Sequence, residues 1–427
     1  MKIALLAAGA GAMYCGSCLR DHTLATALAE AGEEVDLVPL YTPLRTDGPG
    51  LESCPVFLGG ANAYLRHNYP AFRYVPRFVA RLLDSPAVLG LAGRLGGMTS
   101  AARLGSLTVS MLQGDEGEHA PEIERLVEFL AGLQPNVVHL PNALLIGLAG
   151  PIRRTLRIPV ICSLTGEDIF VDSLPPEYRK QVIDIIRKSA DEVDAFIASS
   201  AYYADHAAGM FGIPRPTVKV VWSGINADDF AAAGSNRATN DPTIGYLARI
   251  CPEKGLDILC EAMVILREFK GMGNAKVRAA GYLGPADRKW FNDLRRQIED
   301  RGMADAFEYV GEVDRQGKID FLSSVDVLSV PTRYPEAKGI YLLEALAAGV
   351  PVVQPEHGSF TELIHDTGGV LVPPCDPDAL AGALAVLLRD PERRERLGRA
   401  GRRAVLERYT AQRMAAEVLN VYRNHEL

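Results

Sequence analysis

A chain of 427 residues, 48% hydrophobic and 23% charged, is long enough for two or three domains and has an ordinary globular composition. Its formal net charge of −8 gives no reason to expect a nucleic-acid partner, and the longest uncharged stretch, Gln134–Ile152, contains three prolines and two asparagines, which excludes it as a spanning helix. Seven cysteines, an odd number scattered through the chain, argue against a disulfide framework and for a reducing, cytoplasmic compartment.

Met1–Ala10 superficially resembles a signal peptide, but its apolar run is short and flows into a glycine-rich loop and a helix carrying Arg20 and Asp21, so it reads as a first strand. The loop Gly9–Cys18 fails as a dinucleotide fingerprint, because Tyr14 stands where a third glycine belongs. Cys15-x-x-Cys18 is a single weak motif: at a helix start its thiols would be activated for redox or metal chemistry, but without a second cysteine pair packing in the loop is the favoured role. Short β-branched runs then alternate with longer helical patterns, the signature of parallel βαβ units. The expected strands are Lys2–Ala8, Val35–Leu40, Val137–Leu140, Pro159–Leu164, Ala195–Ser199 and Val218–Trp222, followed by Thr243–Leu247, Lys276–Ala280, Phe307–Val310, Val327–Pro331, Val352–Gln354 and Val370–Val372. Two sets of six imply an α/β protein of two doubly wound, Rossmann-like domains facing each other across a cleft. The expected boundary lies in Ser223–Pro242, where Gly, Asn, Asp and Ala crowd and periodicity stops. This gives a first domain over 1–225 and a second over 240–405.

Residues 61–113 stand apart as a helical insertion. They carry six arginines (Arg66, Arg73, Arg77, Arg81, Arg94 and Arg103) against a single acid, Asp84, with Tyr64, Tyr69, Phe72, Tyr74 and Phe78 interleaved. Charge runs are usually solvated faces. The sharper reading is a site for an anionic or lipid-linked acceptor, or a peripheral contact with an anionic membrane surface.

Two segments of the second half carry the chemistry. In Thr243–Leu256 an apolar strand ends at Arg249, and Lys254-Gly255 opens the next helix. Two cations at the C-terminal end of a strand can reach a diphosphate in the crevice there, arginine as a planar fork and lysine as a mobile point charge. In Pro335–Val353, Glu336 opens a loop, Gly339 follows, Glu344 sits eight residues after Glu336, and an apolar helix runs to Gly349. A helix N-terminus favours phosphate, and carboxylates suit sugar hydroxyls. Phosphate and polyol recognised side by side point to a nucleotide-sugar.

Together these segments resemble the retaining GT-B glycosyltransferases with a Glu-x7-Glu motif, the large family-four-like group. Phe307-Glu308-Tyr309-Val310-Gly311, Asp326–Thr332, Asp376–Leu380 and Glu407-Arg408-Tyr409-Thr410 fall where that family has comparable runs, although Ala411 stands where a tryptophan is common. The resemblance implies transfer of a sugar from a nucleotide-sugar donor to an unidentified acceptor, with retention and a front-face route. It implies a closing helix over 406–427 that crosses back to the first domain. Arg249 and Lys254 would hold the donor diphosphate, with Glu336 completing the catalytic set on the transferred sugar. Gly16, Gly339, Ile340, Glu344 and Val310 would line the donor, Glu344 on the ribose. Counting back from Gly32 aligns Cys15-Gly16 with the family's paired glycines. On the acceptor or sugar side stand His139, Thr165 and Asp168; Thr165 replaces a histidine common in relatives, and a satisfied core histidine is the favoured role for His139. Lys338, where aromatic or apolar residues are common, would meet an anionic sugar group or, more simply, point to solvent. No metal or other cofactor is expected, since the one Asp-x-Asp, Asp376–Asp378, precedes a helical run and reads as a cap. The competing readings are a nucleotide-sugar epimerase, a nucleotide-sugar-binding protein that has lost transfer, and a thiol–disulfide oxidoreductase on Cys15 and Cys18.

Overall fold

The computed structural model describes residues 1–9, 16–42, 56–58, 101–231 and 241–425, with only the backbone at 101–103, 231 and 366. Cys15, the loop before it and most of the basic insertion therefore lie outside the described residues. The chain forms two compact units, Met1–Trp222 with Gln412–Leu427, and Ser223–Ala411.

In the first unit, β1 (Lys2–Ala7), β2 (Glu34–Pro39), β3 (Val137–Leu140), β4 (Val160–Leu164), β5 (Ala195–Ala198) and β6 (Val218–Val220) form one sheet in the order β2-β1-β3-β4-β5-β6. Every neighbouring pair is parallel, with Leu5 level with Leu37 and His139, and Cys162 level with Phe196. Such sheets are covered by helices on both faces, which is why β3, β4 and β5 are buried at every position instead of alternating. Ile3, Leu5, Leu28, Leu126, Val138, Ile161 and Phe196 form its core. The helix Ala201–Phe211 starts where the Ser200 hydroxyl accepts the Tyr203 N–H at 3.1 Å and stops at Gly212, in the left-handed conformation. The last helix, Ala411–Arg423, contributes Tyr422, fully buried, to this unit.

The second unit holds β7 (Thr243–Leu247), β8 (Lys276–Ala280), β9 (Phe307–Gly311), β10 (Val327–Leu328), β11 (Val353–Pro355) and β12 (Val370–Val372). Four pair in the order β10-β7-β8-β9 and two as β11-β12, all parallel; a bridge from Leu328 to Val352 links the groups. Ile244, Tyr246, Leu259, Met263, Val277, Val327 and Leu384 pack its core. The expected strand at Val327–Pro331 pairs as a ladder only over Val327–Leu328. Beyond it the Val330 N–H turns to the side-chain oxygen of Gln354 at 3.3 Å, so the backbone leaves the sheet toward the loop that carries Glu336. Both units are thus parallel-sheet, Rossmann-like α/β layers.

Candidate functional site

Three loops at the C-terminal ends of β7, β10 and β11 meet in the second unit. The first runs from Arg249 to Lys254 and ends at Gly255, whose φ of +71° suits glycine and whose missing Cβ avoids a collision with the Pro331 carbonyl oxygen. The second carries Glu336. The third carries Gly358, with φ +57°; a Cβ there would lie 2.6 Å from both the Glu336 nitrogen and oxygen. The Ser359 N–H donates to the Glu336 carbonyl at 2.8 Å, and His357 Nε2 lies 2.9 Å from the Thr332 carbonyl oxygen, so the third loop clamps the second.

Within this frame Lys254 Nζ reaches Glu336 Oε2 at 2.5 Å, with side-chain exposures of 14% and 9%. Tyr334 and Tyr341 donate their hydroxyls to the same oxygen at 3.4 and 3.3 Å, and Lys254 Nζ sits 5.1 and 5.3 Å from the two ring centroids. Burial opposes ionisation of Glu336, but the Lys254 ammonium, aided by Lys338 and Tyr341, outweighs it and holds the carboxyl below its usual range. Lys338 is half-buried beside that carboxylate, not simply directed into solvent. Gly339, at φ +67°, precedes the helix Ile340–Ala347, so the first free N–H groups of that helix follow directly on the carboxylate loop.

The remaining expected donor residues are distributed as follows. Arg249 is exposed at the end of β7, its Nε donating to Cys251 Sγ at 3.3 Å. Glu344, in the helix, is buried and pairs with Lys318 at 3.0 Å, so its carboxylate is already neutralised from within the fold. Val310 is 38% exposed on β9. Gly16 opens the first helix of the other unit, exposed, and a Cβ there would meet nothing within 4 Å, so packing alone does not require a glycine.

On the first unit His139 is a core residue: 1% exposed, with Nδ1 2.6 Å from the Tyr422 hydroxyl and Nε2 2.8 Å from Ser163 Oγ. Burial and the Arg20 guanidinium push its pKa down to about 3, so the ring is neutral and both nitrogens are occupied. Thr165 is buried, its hydroxyl donating to Glu167 Oε1 at 3.3 Å. Glu167 is the residue that sequence reasoning passed over. Its 4%-exposed carboxylate accepts the N–H groups of Ala143, Thr165 and Gly166 and the Tyr203 hydroxyl at 2.8 Å, and so shapes the loop after β4. The signal available was an acid in a glycine turn directly after a buried strand. Asp168 lies next to it, Oδ2 3.4 Å from His206 Nε2, with its carboxyl pKa raised by burial against the opposing Tyr203 hydrogen bond.

Asp376 caps the helix Pro377–Arg389, its Oδ1 accepting the Ala379 N–H at 2.9 Å. Among the described residues no group of three His, Cys, Asp or Glu side chains is arranged as metal ligands, and no helix is long and apolar enough to cross a membrane.

Residues 228–404 match the family described as Glycosyl transferases group 1, and residues 103–229 the one described as Glycosyltransferase Family 4. The GDP-mannose-dependent alpha-(1-6)-phosphatidylinositol monomannoside mannosyltransferase of Mycobacterium tuberculosis is 29% identical over 282 residues, 62% of this chain and 70% of its own. Sucrose-phosphate synthase from Thermosynechococcus elongatus is similar in structure, with a TM-score of 0.72 at 20% identity over 99% of this chain and 98% of its own. Anabaena HepE, crystallised with UDP, gives a TM-score of 0.68 at 16% identity over 99% of this chain and 100% of its own. Taken together, the two family matches and these neighbours support a GT-B glycosyltransferase of group 1, with nucleotide-sugar-dependent relatives.

Proposed function

We infer that the protein transfers a sugar from a nucleotide-sugar donor to an acceptor with retention of anomeric configuration. The observation that carries the reading is the convergence, in the second unit, of Lys254 and Glu336 beside the N-terminus of the Ile340–Ala347 helix, with Arg249 on the same loop as Lys254. Cations and helix N–H groups match a diphosphate; a carboxylate beside them matches sugar hydroxyls. The UDP held by HepE and the GDP-mannose named for the mycobacterial relative support a nucleoside-diphosphate donor. In this reading the anomeric C–O bond to phosphate breaks, the acceptor oxygen bonds the same carbon from the same face, and its proton passes to the leaving phosphate oxygen. Arg249 and Lys254 carry the charge that grows on that phosphate, the role a metal plays in other transferases, so transfer is metal-independent. The Lys254–Glu336 pair must open or share its charge when donor binds. Glu344 would meet the ribose only by exchanging contacts with Lys318. Asp168 remains the acceptor-side candidate of the first unit, and a lipid-linked or anionic acceptor with peripheral membrane contact through 61–113 fits the composition of that segment.

The test is incubation with radiolabelled UDP-, GDP- and ADP-sugars. Transfer or hydrolysis is expected, reduced about 10²–10³-fold in Arg249→Ala with unchanged melting, and in Lys254→Ala assayed well below its lowered melting temperature. Turnover should survive a chelator; loss that manganese restores would refute metal independence. Binding without turnover would favour a nucleotide-sugar receptor, and near-normal turnover in both variants would refute the assignment.

A further inference from the structure

Arg249 and Lys254 leave the same loop but are held in opposite ways. The ammonium of Lys254 is closed off by Glu336. Among the described residues no carboxylate forms an ion pair with Arg249, and its one side-chain hydrogen bond runs from Nε to Cys251 Sγ, leaving both terminal nitrogens unbonded on an exposed side chain. The backbone beneath is fixed as well, since the Tyr246 hydroxyl donates to the Arg249 carbonyl at 3.1 Å.

Cys251 is 1% exposed and sits on extended backbone, φ −155° and ψ 159°. Burial raises its thiol pKa against the opposing Arg249 charge, so the sulfur remains a neutral thiol. That thiol donates to the Arg249 carbonyl at 3.8 Å while its sulfur accepts from the guanidinium. A guanidinium tethered at Nε has lost rotational freedom about its last bonds, while the two nitrogens that grip an oxyanion side by side stay available.

We propose that Cys251 is a positioning residue for the donor diphosphate: its sulfur orients the Arg249 fork so that both terminal nitrogens meet one phosphate. The inference rests on the donor role given to Arg249 above. Calorimetric titration of the full chain with UDP and with GDP tests it. Cys251→Val places a β-branched side chain suited to extended backbone there but removes the acceptor sulfur, whereas Cys251→Ser keeps an acceptor in a smaller group. Whichever diphosphate binds the wild type should bind Cys251→Val roughly tenfold more weakly, with most of the loss recovered in Cys251→Ser. The valine effect should vanish in an Arg249→Ala background, which a purely structural role would not do. Cys251→Ala gives the same comparison if the valine is not accommodated. Wild-type affinity in Cys251→Val and Cys251→Ala, or a loss that persists without Arg249, would overturn the positioning role. Full affinity in Arg249→Ala, or no binding of either diphosphate by the wild type, would overturn the donor reading and the inference with it.

Discussion

Replacing Lys254 by methionine should do more than remove a charge from the candidate site. Removing one partner of a buried ion pair leaves the other charge uncompensated, at about 3–5 kcal/mol for a fully buried case. Here the side chains are 14% and 9% exposed, and Tyr334 and Tyr341 still donate to Glu336, so ~2–3 kcal/mol at pH 7.5 is expected. For a unit spanning Ser223–Ala411 that lowers the melting temperature by roughly 5–10 °C. The pH dependence has a definite sign. In the wild type the folded-state pKa of Glu336 is depressed, so its contribution is present above the unfolded value and is lost as pH falls through the folded one. Without Lys254, burial becomes the dominant influence and the pKa moves above the unfolded value, so protonation relieves the strain on acidification. The gap between Lys254→Met and wild type should therefore narrow from pH 7.5 to pH 5, and Lys254→Met with Glu336→Gln should melt above Lys254→Met alone at pH 7.5. Differential scanning calorimetry at the two pH values reads all three. A single variant that melts like the wild type at both, or a double variant no better than the single, would refute the reasoning.

Gly255→Ala forces a β-carbon against the Pro331 carbonyl at a left-handed φ, and should cost about 2 kcal/mol or more in urea unfolding. Glu167→Ala strips the acceptor from the Thr165 and Gly166 N–H groups and the Tyr203 hydroxyl; a loss of about 3 kcal/mol is expected, with faster amide exchange at 165 and 166. Tyr422→Phe removes the partner of His139 Nδ1, and should cost about 1–2 kcal/mol and raise exchange in the Ala411–Arg423 helix.

What the sequence showed and hid divides along physical lines. Parallel strands buried on both faces are largely apolar runs, so Val137–Leu140 and Thr243–Leu247 could be read to the residue. The half-buried Lys276–Ala280 and Val370–Val372 were read as closely from their β-branched residues and flanking turns. Val327–Pro331 has the same composition, yet its ladder is short: the Ser329 N–H still reaches the Gly245 carbonyl, but the Val330 N–H goes to the side chain of Gln354. Pairings between distant residues leave no local mark. Nothing in the spacing joins Lys318 to Glu344 or sends Tyr334 and Tyr341 to one oxygen of Glu336. Glu167 was overlooked for a related reason: an acid in a glycine turn looks solvated until its burial and five separate donors are seen. The loop glycines were harder still, since Gly358 is required by the backbone of Glu336, not by its own neighbours in sequence.

The membership of Tyr422 in the first unit has a consequence for biosynthesis. The hydrogen bonding of His139 is completed by a side chain 283 residues later in the chain, after the whole of Ser223–Ala411 has been synthesised. During translation the earlier unit therefore lacks its last piece until nearly all of the intervening one has been made. A nascent chain halted short of that tyrosine would expose an unfilled apolar seam to chaperones and proteases.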